Sequence, residues 1–249
     1  MVTAVETASR DTLNILGTPV DRVDMATALA RVQDFIASGK PHFIATADAS
    51  MIVDAQDDPA FGDILKNADM VTPDSTGVLW AGQKLGNPFS EKVSGVDLVE
   101  RICALSADKG YRIGFLGAAP GVAEVAAERL HLRFPGCNIV GTRNGYFPAD
   151  DDEIVAQEVA AWNPDVLFVA MGIPRQEKFI VKTQSIIGAR VALGVGGSLD
   201  VHSGQAKRAP KFFQKARLEW LYRLLQNPSK YRKVMKLPQF MMRVLRSRG

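Results

Sequence analysis

A single carboxylate stands where a short apolar segment gives way to a predicted helix. Asp74 follows the apolar stretch that ends at Pro73 and precedes a helix predicted over residues 75–85. A carboxylate in that position can cap the helix by accepting hydrogen bonds from its first N–H groups. It can also act as a general base that takes a proton from a hydroxyl group. Position alone favours the cap, because Asp is among the best capping residues, and it leaves the general base open.

Polar side chains also follow two other predicted strands. Thr46 and Asp48 end the first strand, where turn and cap chemistry accounts for them. Gln176 and Glu177 come after Pro174, behind a later strand. An amide there could read the edge of a sugar or a base, and the alternative is a helix start that resembles a capping box.

Three predicted strands end in glycine-rich segments, over residues 114–121, 171–178 and 194–200. Small residues let the backbone approach a phosphate or a ribose closely, and N–H groups at a helix start favour anions. The alternative is a tight turn that needs glycine for its backbone geometry. The dinucleotide-binding pattern GxGxxG is absent, because Ala-Ala-Pro follows Gly117. This absence counts against an NAD-dependent enzyme.

Neither a metal site nor a common hydrolase nucleophile is visible in the sequence. His42, His131 and His202 lack metal-ligand spacing, and only His202, after a glycine-rich segment, is a weak site candidate. No HExxH, GxSxG, phosphate-binding P-loop or cysteine cluster occurs. Residues 150–152 contain the DxD pattern with which many nucleotide-sugar enzymes hold a divalent cation, but their place at a predicted helix start favours capping. We therefore expect no metal and no bound cofactor.

The elements that must position these residues alternate along the chain. Apolar runs with the length of strands are separated by segments of helical periodicity, which is typical of a parallel sheet covered on both faces. We predict an α/β fold, with a Rossmann-like, mainly parallel sheet and helices on both faces. Ligands bind outside the carboxyl ends of the strands in such folds. The predicted strands are residues 42–46, 112–116, 138–141, 166–171 and 190–195, and the predicted helices are 75–85, 96–107, 121–133 and 151–162.

The charge is divided unevenly along the chain. Residues 205–249 contain thirteen Lys and Arg and the single acid Glu219, which gives a net charge of +12. The remaining 17 basic and 26 acidic residues give residues 1–204 a net charge of −9. We predict a catalytic domain over 1–204 and a basic, amphipathic helical appendage over 205–249, interrupted at Pro228 and Pro238. The appendage suits an anionic membrane surface, and the alternative is a helical hairpin that packs its apolar stripe on the domain. We expect no nucleic-acid partner, because no recognised nucleic-acid module accompanies the charge.

Composition indicates a folded protein that does not cross a membrane unaided. Of the 249 residues 47% are hydrophobic and 23% charged, which is ordinary globular usage. No apolar run approaches the roughly 18 residues of a spanning helix, and no secretory signal is visible at the N-terminus. The two cysteines, Cys103 and Cys137, fit a reducing compartment. We expect a cytoplasmic location.

Taken together, these segments resemble the WecG/TagA/CpsF glycosyltransferase family, in order from about residue 40 to residue 233. The resemblance implies an inverting transferase that moves a sugar from a UDP-sugar to a sugar already attached to a polyprenyl diphosphate. It also implies that no metal is required. The matching segments are 46–48, 68–74, 77–78 with Gly86, 94–98, 114–117, 144–147, 172–177, 194–197 and 217–224.

The resemblance also implies roles for individual residues. Asp74 matches the family's proposed general base, Thr46 its active-site threonine and Gln176 its glutamine near the substrate. The basic appendage is expected to dock at the inner face of the bacterial plasma membrane and to complete the active site with cations. The donor nucleotide is expected to meet Gly117, Gly172, Pro174, Gln176, Glu177, Gly196 and Gly197, and the acceptor and diphosphate to meet Asp48, Lys92, Arg223, Lys230, Arg232 and Lys233.

The chain departs from the family pattern at three positions. Asp48 stands where Asn is expected and Ser75 where Gly follows the motif's Asp, so the donor sugar stays open. Lys92 stands where Arg often occurs. The ammonium group of Lys is a point charge and cannot bind a diphosphate with two parallel hydrogen bonds as the planar guanidinium group of Arg can. N-acetylmannosamine, its uronic acid and glucose all remain as donors, for teichoic acid linkage units, enterobacterial common antigen or exopolysaccharides.

Two other functions fit part of the sequence. A Rossmann-type nucleotide- or dinucleotide-dependent enzyme would share the predicted fold, but the missing GxGxxG disfavours it. A noncatalytic module that binds anionic membranes would use the appendage alone. Neither accounts for the ordered set of strand-end segments, and the sequence leaves open whether the chain forms a homo-oligomer.

Overall fold

A parallel sheet forms the centre of the computed structural model, which describes residues 10–207, 209–210, 212–213, 222 and 231–247, with backbone alone for 231–234. The strands of the described residues are β1 (Thr12–Ile15), β2 (Thr18–Asp21), β3 (His42–Ala47), β4 (Met70–Pro73), β5 (Arg112–Gly117), β6 (Asn138–Arg143), β7 (Val166–Ala170) and β8 (Val191–Gly194). β1 and β2 form an antiparallel hairpin, and the other six pair in parallel in the order β4-β3-β8-β7-β5-β6. The predicted α/β fold with a mainly parallel sheet is confirmed.

Helices cover both faces of the sheet, as predicted. The described helices are α1 (Met25–Ser38), α2 (Ala49–Asp57), α3 (Pro59–Lys66), α4 (Thr76–Lys84), α5 (Gly95–Lys109), α6 (Val122–Arg133), α7 (Asp152–Ala160), α8 (Arg175–Ile187), α9 (Ser198–His202) and α10 (Tyr231–Arg246). Successive side chains of a strand point to opposite faces. Ile44 and Phe168 therefore pack with α1, α5, α6 and α9, while Ala45 and Val169 pack with the other helices.

A buried carboxylate ties the hairpin to the edge strand β4. Asp21, at the end of β2, is fully buried and accepts a hydrogen bond of 2.7 Å from the N–H of Val71 in β4. Arg10 and Arg31 pair with it at 2.5 and 2.7 Å, which compensates the buried charge. The hairpin therefore holds the strand whose carboxyl end leads to Asp74.

A second buried carboxylate lies at the amino edge of the sheet. Asp165, directly before β7, pairs with Arg112 and Arg190, both at 3.0 Å. Burial raises the pKa of Asp165, but hydrogen bonds from Arg112 outweigh burial and hold the pKa below its ordinary value. This ion cluster joins β5, β7 and β8 at the end of the sheet that faces away from the carboxyl edge.

The helix α10 packs into the core. Phe240 and Val244 are fully buried in the same apolar cluster as α2 and α4. The predicted break at Pro238 is wrong, because α10 continues through this residue. Proline removes one helical hydrogen bond, and the burial of Phe240 and Val244 offsets that loss. Within the described part of the chain, every helix is too short or too polar to span a membrane.

Replacing Phe240 by Ala is expected to destabilise the whole protein, because the side chain is large and fully buried. The expected loss in the free energy of unfolding is about 3–5 kcal/mol, measured by urea denaturation followed by circular dichroism. Met242 lies on the same helix and is 49% exposed. Met242→Ala is therefore the matched control, with an expected change within about 0.5 kcal/mol. Equal losses in the two variants would contradict the packing of α10 into the core.

Candidate active site

The carboxyl ends of β3, β4 and β8 meet the first turn of α5. Thr46 Oγ1 in β3 donates a hydrogen bond of 2.8 Å to the carbonyl oxygen of Gly194 in β8. Asp74, directly after β4, accepts one of 3.2 Å from the N–H of Gly95, the first residue of α5. A Cβ atom on Gly95 would lie 3.4 Å from Thr46 Oγ1 and 3.3 Å from Ser198 Oγ. The two side chains predicted to be catalytic therefore both border Gly95.

The interpretation of Asp74 as a helix cap is wrong. Ser75 caps α4, and its Oγ accepts a hydrogen bond of 3.2 Å from the N–H of Val78. The half-buried Asp74 contacts the start of α5 instead. The N-terminus of a helix carries partial positive charge, which stabilises a carboxylate beside it. Asp74 therefore lies as an oriented carboxylate at the carboxyl edge of the sheet, which suits a general base.

Asp48 and Lys92 flank this point. Asp48 caps α2 by accepting a hydrogen bond of 2.9 Å from the N–H of Met51, as the sequence indicated. Lys92 precedes Val93, whose N–H donates to the carbonyl oxygen of Pro73 at 3.0 Å. The segment that carries Lys92 therefore runs beside the end of β4. A contact of either side chain with the acceptor or the diphosphate stays a prediction.

Gln176 and Glu177 lie beneath the glycine-rich turns, with relative exposures of 1% and 0%. Gln176 Oε1 accepts hydrogen bonds from the N–H groups of Gly172 and Gly196, at 3.1 and 3.0 Å. Gln176 Nε2 donates to Glu177 Oε1 at 2.6 Å. The expected capping box is wrong, since α8 follows its cap residue Pro174 with no side-chain cap bond from any described residue. The N–H groups of Gly172 and Gly196 are thus engaged inside the protein.

Gly117 and Gly197 occupy the turns after β5 and β8. Gly117 has a φ of 136°, and a Cβ atom there would overlap the backbone of Ala170 in β7. The close approach of these strands requires glycine whatever else the turn binds. Gly197 is the cap residue of α9, and His202 at the end of that helix lies with Nε2 3.0 Å from the carbonyl oxygen of Val96. The contact of Gly117 and Gly197 with a nucleotide stays a prediction.

The helices differ in how the N–H groups of their first turns are satisfied. Each of α1 to α5 has a side-chain cap, from Asp24, Asp48, Asp58, Ser75 and Ser94 respectively. α6, α7, α8 and α9 receive no side-chain cap from the described residues. In α6 and α8 the N–H groups of Val122 and Gln176 donate to the carbonyl oxygens of Ala119 and Gly172, and the other first-turn N–H groups can bind an anion. The half of the edge around β5 and β7 therefore suits a diphosphate, while the half around β3 and β4 presents the carboxylate.

The last residue of the acidic run at 150–152 is engaged in ion pairs. Asp152 is 3% exposed and pairs with Arg175 and, at 3.4 Å, with Lys182. Asp151 occupies the cap position of α7 and Asp152 lies in its first turn, so the predicted place of the acidic run at a helix start is confirmed, although Asp151 makes no side-chain cap bond to the described residues. Across the parts of the chain that the structure describes, no three His, Cys, Asp or Glu side chains are grouped to hold a metal ion.

The C-terminal helix reaches the neighbourhood of the site. A Cβ atom on Gly77, in the first turn of α4, would lie 3.1 Å from Leu237 Cδ1 of α10. α10 therefore packs beside the helix that follows Asp74. Outside the described residues lie Arg223, Lys230 and the side chains of Arg232 and Lys233.

Sequence patterns did not reveal the role of Gly95, although part of the signal was present. Ser94 and Asp97 form a capping pair in which Ser94 Oγ accepts from the N–H of Asp97 at 3.3 Å and donates to its carboxylate at 2.5 Å. That pattern indicates a helix that begins at Gly95. The partner of the Gly95 N–H, Asp74, is 21 residues earlier, and only the fold brings the two together.

A sequence profile described as the glycosyl transferase WecG/TagA/CpsF family matches residues 13–249 of the chain. The chain is 38% identical to a Bacillus spizizenii protein over 212 residues, which cover 85% of this chain and 82% of that protein. It is 32% identical to a Bacillus subtilis protein over 203 residues, 82% and 78% of the two chains. It is 28% identical to a Staphylococcus aureus protein over 249 residues, 99% and 97% of the two chains. All three are named N-acetylglucosaminyldiphosphoundecaprenol N-acetyl-beta-D-mannosaminyltransferase.

Replacing Thr46 by Val is expected to destabilise the protein by about 1–3 kcal/mol, because the buried carbonyl oxygen of Gly194 loses its hydroxyl donor. Thr46→Ser keeps the donor and is the control, with an expected cost of about 0.8 kcal/mol for one buried CH₂ group. Urea denaturation of both variants measures the difference. A loss in Thr46→Val that is no larger than the loss in Thr46→Ser would rule out this hydrogen bond as a support of the site.

Proposed function

We propose that this chain, which belongs to the WecG/TagA/CpsF family of glycosyl transferases, transfers a sugar from a UDP-sugar to a sugar attached to a polyprenyl diphosphate. The family match over residues 13–249 is the observation that carries the reaction class. The geometry supports it, since Asp74 and the uncapped starts of α6 and α8 lie at the carboxyl edge of one sheet. Ligands of open α/β sheets bind at that edge.

In the proposed reaction Asp74 is the general base. Its carboxylate accepts the proton of the attacking hydroxyl group on the acceptor sugar while the hydroxyl oxygen bonds to the anomeric carbon of the donor. The bond from that carbon to the diphosphate of UDP breaks, and its electron pair leaves with UDP. Attack opposite the leaving group inverts the configuration at the anomeric carbon. The hydrogen bond from Gly95 orients the carboxylate for this step.

The diphosphate that departs with UDP gains negative charge, which preorganised hydrogen-bond donors and cations stabilise. The proposed donors are first-turn N–H groups of α6 and α8, other than those of Val122 and Gln176, which donate to the carbonyl oxygens of Ala119 and Gly172. Lys92, beside the end of β4, and the Lys and Arg of residues 205–249 are the proposed cations. The N–H groups of Gly172 and Gly196 are excluded from this role while they are bonded to Gln176. We propose that these groups together replace a divalent cation.

We propose N-acetylglucosaminyl-diphospho-undecaprenol as the acceptor and N-acetylmannosamine as the donor sugar to test first. The support is that the relatives named above carry these groups in their names. Asp48 and Ser75 depart from the family pattern close to Asp74, so the uronic acid of N-acetylmannosamine and glucose belong in the same screen. Release of UDP in the presence of the acceptor identifies the donor.

We further propose that residues 205–249 hold the enzyme at the inner face of the plasma membrane. Their net charge of +12 favours anionic lipid. α10 supplies apolar contact area, since Met235, Met242 and Leu245 are 59%, 49% and 52% exposed on a helix that buries Phe240. A basic helix with exposed apolar side chains binds a lipid surface in this way. Residues 1–204 would then form the catalytic domain, completed by the core contact with α10.

Asp74→Asn is expected to lower the rate of transfer at least about 100-fold, because an amide cannot accept the proton of the attacking hydroxyl. The assay follows UDP release with the lipid-linked acceptor in buffer that contains EDTA. Asp69→Asn is the matched control, since Asp69 directly precedes β4 at its opposite end and contacts His42 at 3.0 Å. Its rate is expected to stay close to that of the unchanged protein. Full activity in a folded Asp74→Asn variant would reject Asp74 as the base, and loss of all activity with EDTA would reject the metal-free mechanism.

Removal of positive charge from the appendage is expected to weaken binding to vesicles of anionic phospholipid. Each Lys or Arg near an anionic surface contributes about 1 kcal/mol, so Arg232→Gln with Lys233→Gln is expected to lower the affinity about 30-fold. Lys40→Gln with Lys109→Gln removes the same charge from residues 1–204 and is the control. Sedimentation with vesicles measures both. Equal weakening in the two double variants would contradict a membrane contact made by residues 205–249.

A further inference from the structure

A buried pair of side chains, Gln176 and Glu177, joins the glycine-rich turns that follow β7 and β8. We name this pair the amide clamp. We propose that Glu177 is a positioning residue whose carboxylate fixes the amide of Gln176, so that the amide holds the two turns together. The inference rests on the proposed function for the identity of the substrate. The resemblance to the family predicted that Glu177 contacts the nucleotide directly. In this proposal Glu177 instead acts through the amide of Gln176.

The orientation of the Gln176 amide follows from the chemistry of its neighbours. The N–H groups of Gly172 and Gly196 can only donate, and they lie 3.1 and 3.0 Å from one atom, so that atom must be the carbonyl oxygen Oε1. The NH₂ end of the amide then needs an acceptor, which is Glu177 Oε1 at 2.6 Å. The flipped amide is disfavoured, because its NH₂ would face the two N–H groups and its carbonyl oxygen would face Glu177 Oε1.

Gly194 connects the amide clamp to Thr46. A Cβ atom on Gly194 would lie 2.7 Å from Gln176 Nε2 and 2.8 Å from Glu177 Oε1, so the clamp fits only beneath a glycine. The carbonyl oxygen of Gly194 accepts the hydroxyl of Thr46 at 2.8 Å. The clamp therefore packs against the backbone that anchors Thr46.

Because the clamp is buried, we expect it to act on the substrate through the turns and not by direct contact. Gln176 and Glu177 are 1% and 0% exposed, and a buried carboxylate is tolerated only with hydrogen-bond partners. The turn after β7 leads into the uncapped start of α8, where we place the diphosphate of the donor. Loss of the clamp would release that turn from the turn after β8. We therefore expect it to weaken binding of the donor and to spare binding of the acceptor.

The test exchanges the hydrogen-bond donor at residue 176 with the hydrogen-bond acceptor at residue 177. In Gln176→Glu two carboxylate oxygens face each other across a gap that is 2.6 Å in the unchanged protein, so one of them must take a proton. The folded-state pKa of that carboxyl group then lies above the unfolded value of about 4.3. Its stabilisation is present at low pH and is lost as the pH rises through the raised pKa. The double variant Gln176→Glu with Glu177→Gln restores an acceptor at 176 and an amide donor at 177.

Two measurements report on the clamp. In Gln176→Glu at pH 8 we expect a KM for the UDP-sugar at least about 10-fold above that of the unchanged protein, which corresponds to the loss of about one hydrogen bond. The KM is expected to recover as the pH falls through the raised pKa. The acceptor KM is expected to change by less than about 2-fold. Amide hydrogen exchange at Gly172 and Gly196 needs no substrate. We expect exchange to be slow in the unchanged protein and fast in Gln176→Glu at pH 8, and the double variant to restore slow exchange and the donor KM.

Asp165→Asn is the matched control, because it alters another buried carboxylate at the opposite edge of the sheet. It is expected to lower the melting temperature and to leave the donor KM and exchange at the two glycines unchanged. Slow hydrogen exchange at Gly172 and Gly196 in Gln176→Glu at pH 8 overturns the clamp. A double variant that restores neither slow exchange nor the KM for the UDP-sugar overturns it as well. If Gln176→Glu unfolds, a folded double variant supports the clamp and an unfolded one overturns it. If the unchanged protein transfers sugar from no UDP-sugar, the proposed function fails, and hydrogen exchange alone decides the clamp.

Discussion

Parallel strands that are buried on both faces must bring their carboxyl ends to one edge of the sheet, and the whole candidate site depends on that constraint. The residues that emerge there come from distant parts of the chain. Hydrogen bonds across the strand ends then set their spacing, from Thr46 to Gly194 between β3 and β8 and through Gln176 between β7 and β8. The result is an edge with a carboxylate on one half and uncapped helix starts on the other. That division matches a reaction in which a proton leaves one substrate and an anion leaves the other.

The central strands could be predicted from sequence because burial on both faces produces continuous apolar runs. β3, β5 and β7 accordingly begin at the predicted residues and end within one residue of the predicted ends. β4 and the hairpin could not be predicted in the same way. β4 has only four residues at the edge of the sheet, and the hairpin is held to it by the ion pairs of Asp21. A buried ion pair leaves no periodic signal, since its partners are far apart in sequence.

The residue types at the site were visible, but several of their partners were not. Capping rules compare a side chain with the nearest helix start, and by that rule Asp74 was assigned to α4. The fold instead gives α4 the neighbouring Ser75 and turns Asp74 towards α5. The same limit applies to Gln176, whose partners are the N–H groups of two separate turns. A local pattern identifies what a group can do, whereas the sheet topology decides which group it meets.

The burial of Phe240 and Val244 has a consequence for biosynthesis. The strands and helices up to α9 precede α10 in the chain, and N-terminal segments can fold first during synthesis. The apolar surface of α2 and α4, however, stays uncovered until α10 arrives. The region beside Asp74 therefore closes only when α10 packs, and until then its exposed apolar surface is prone to aggregation.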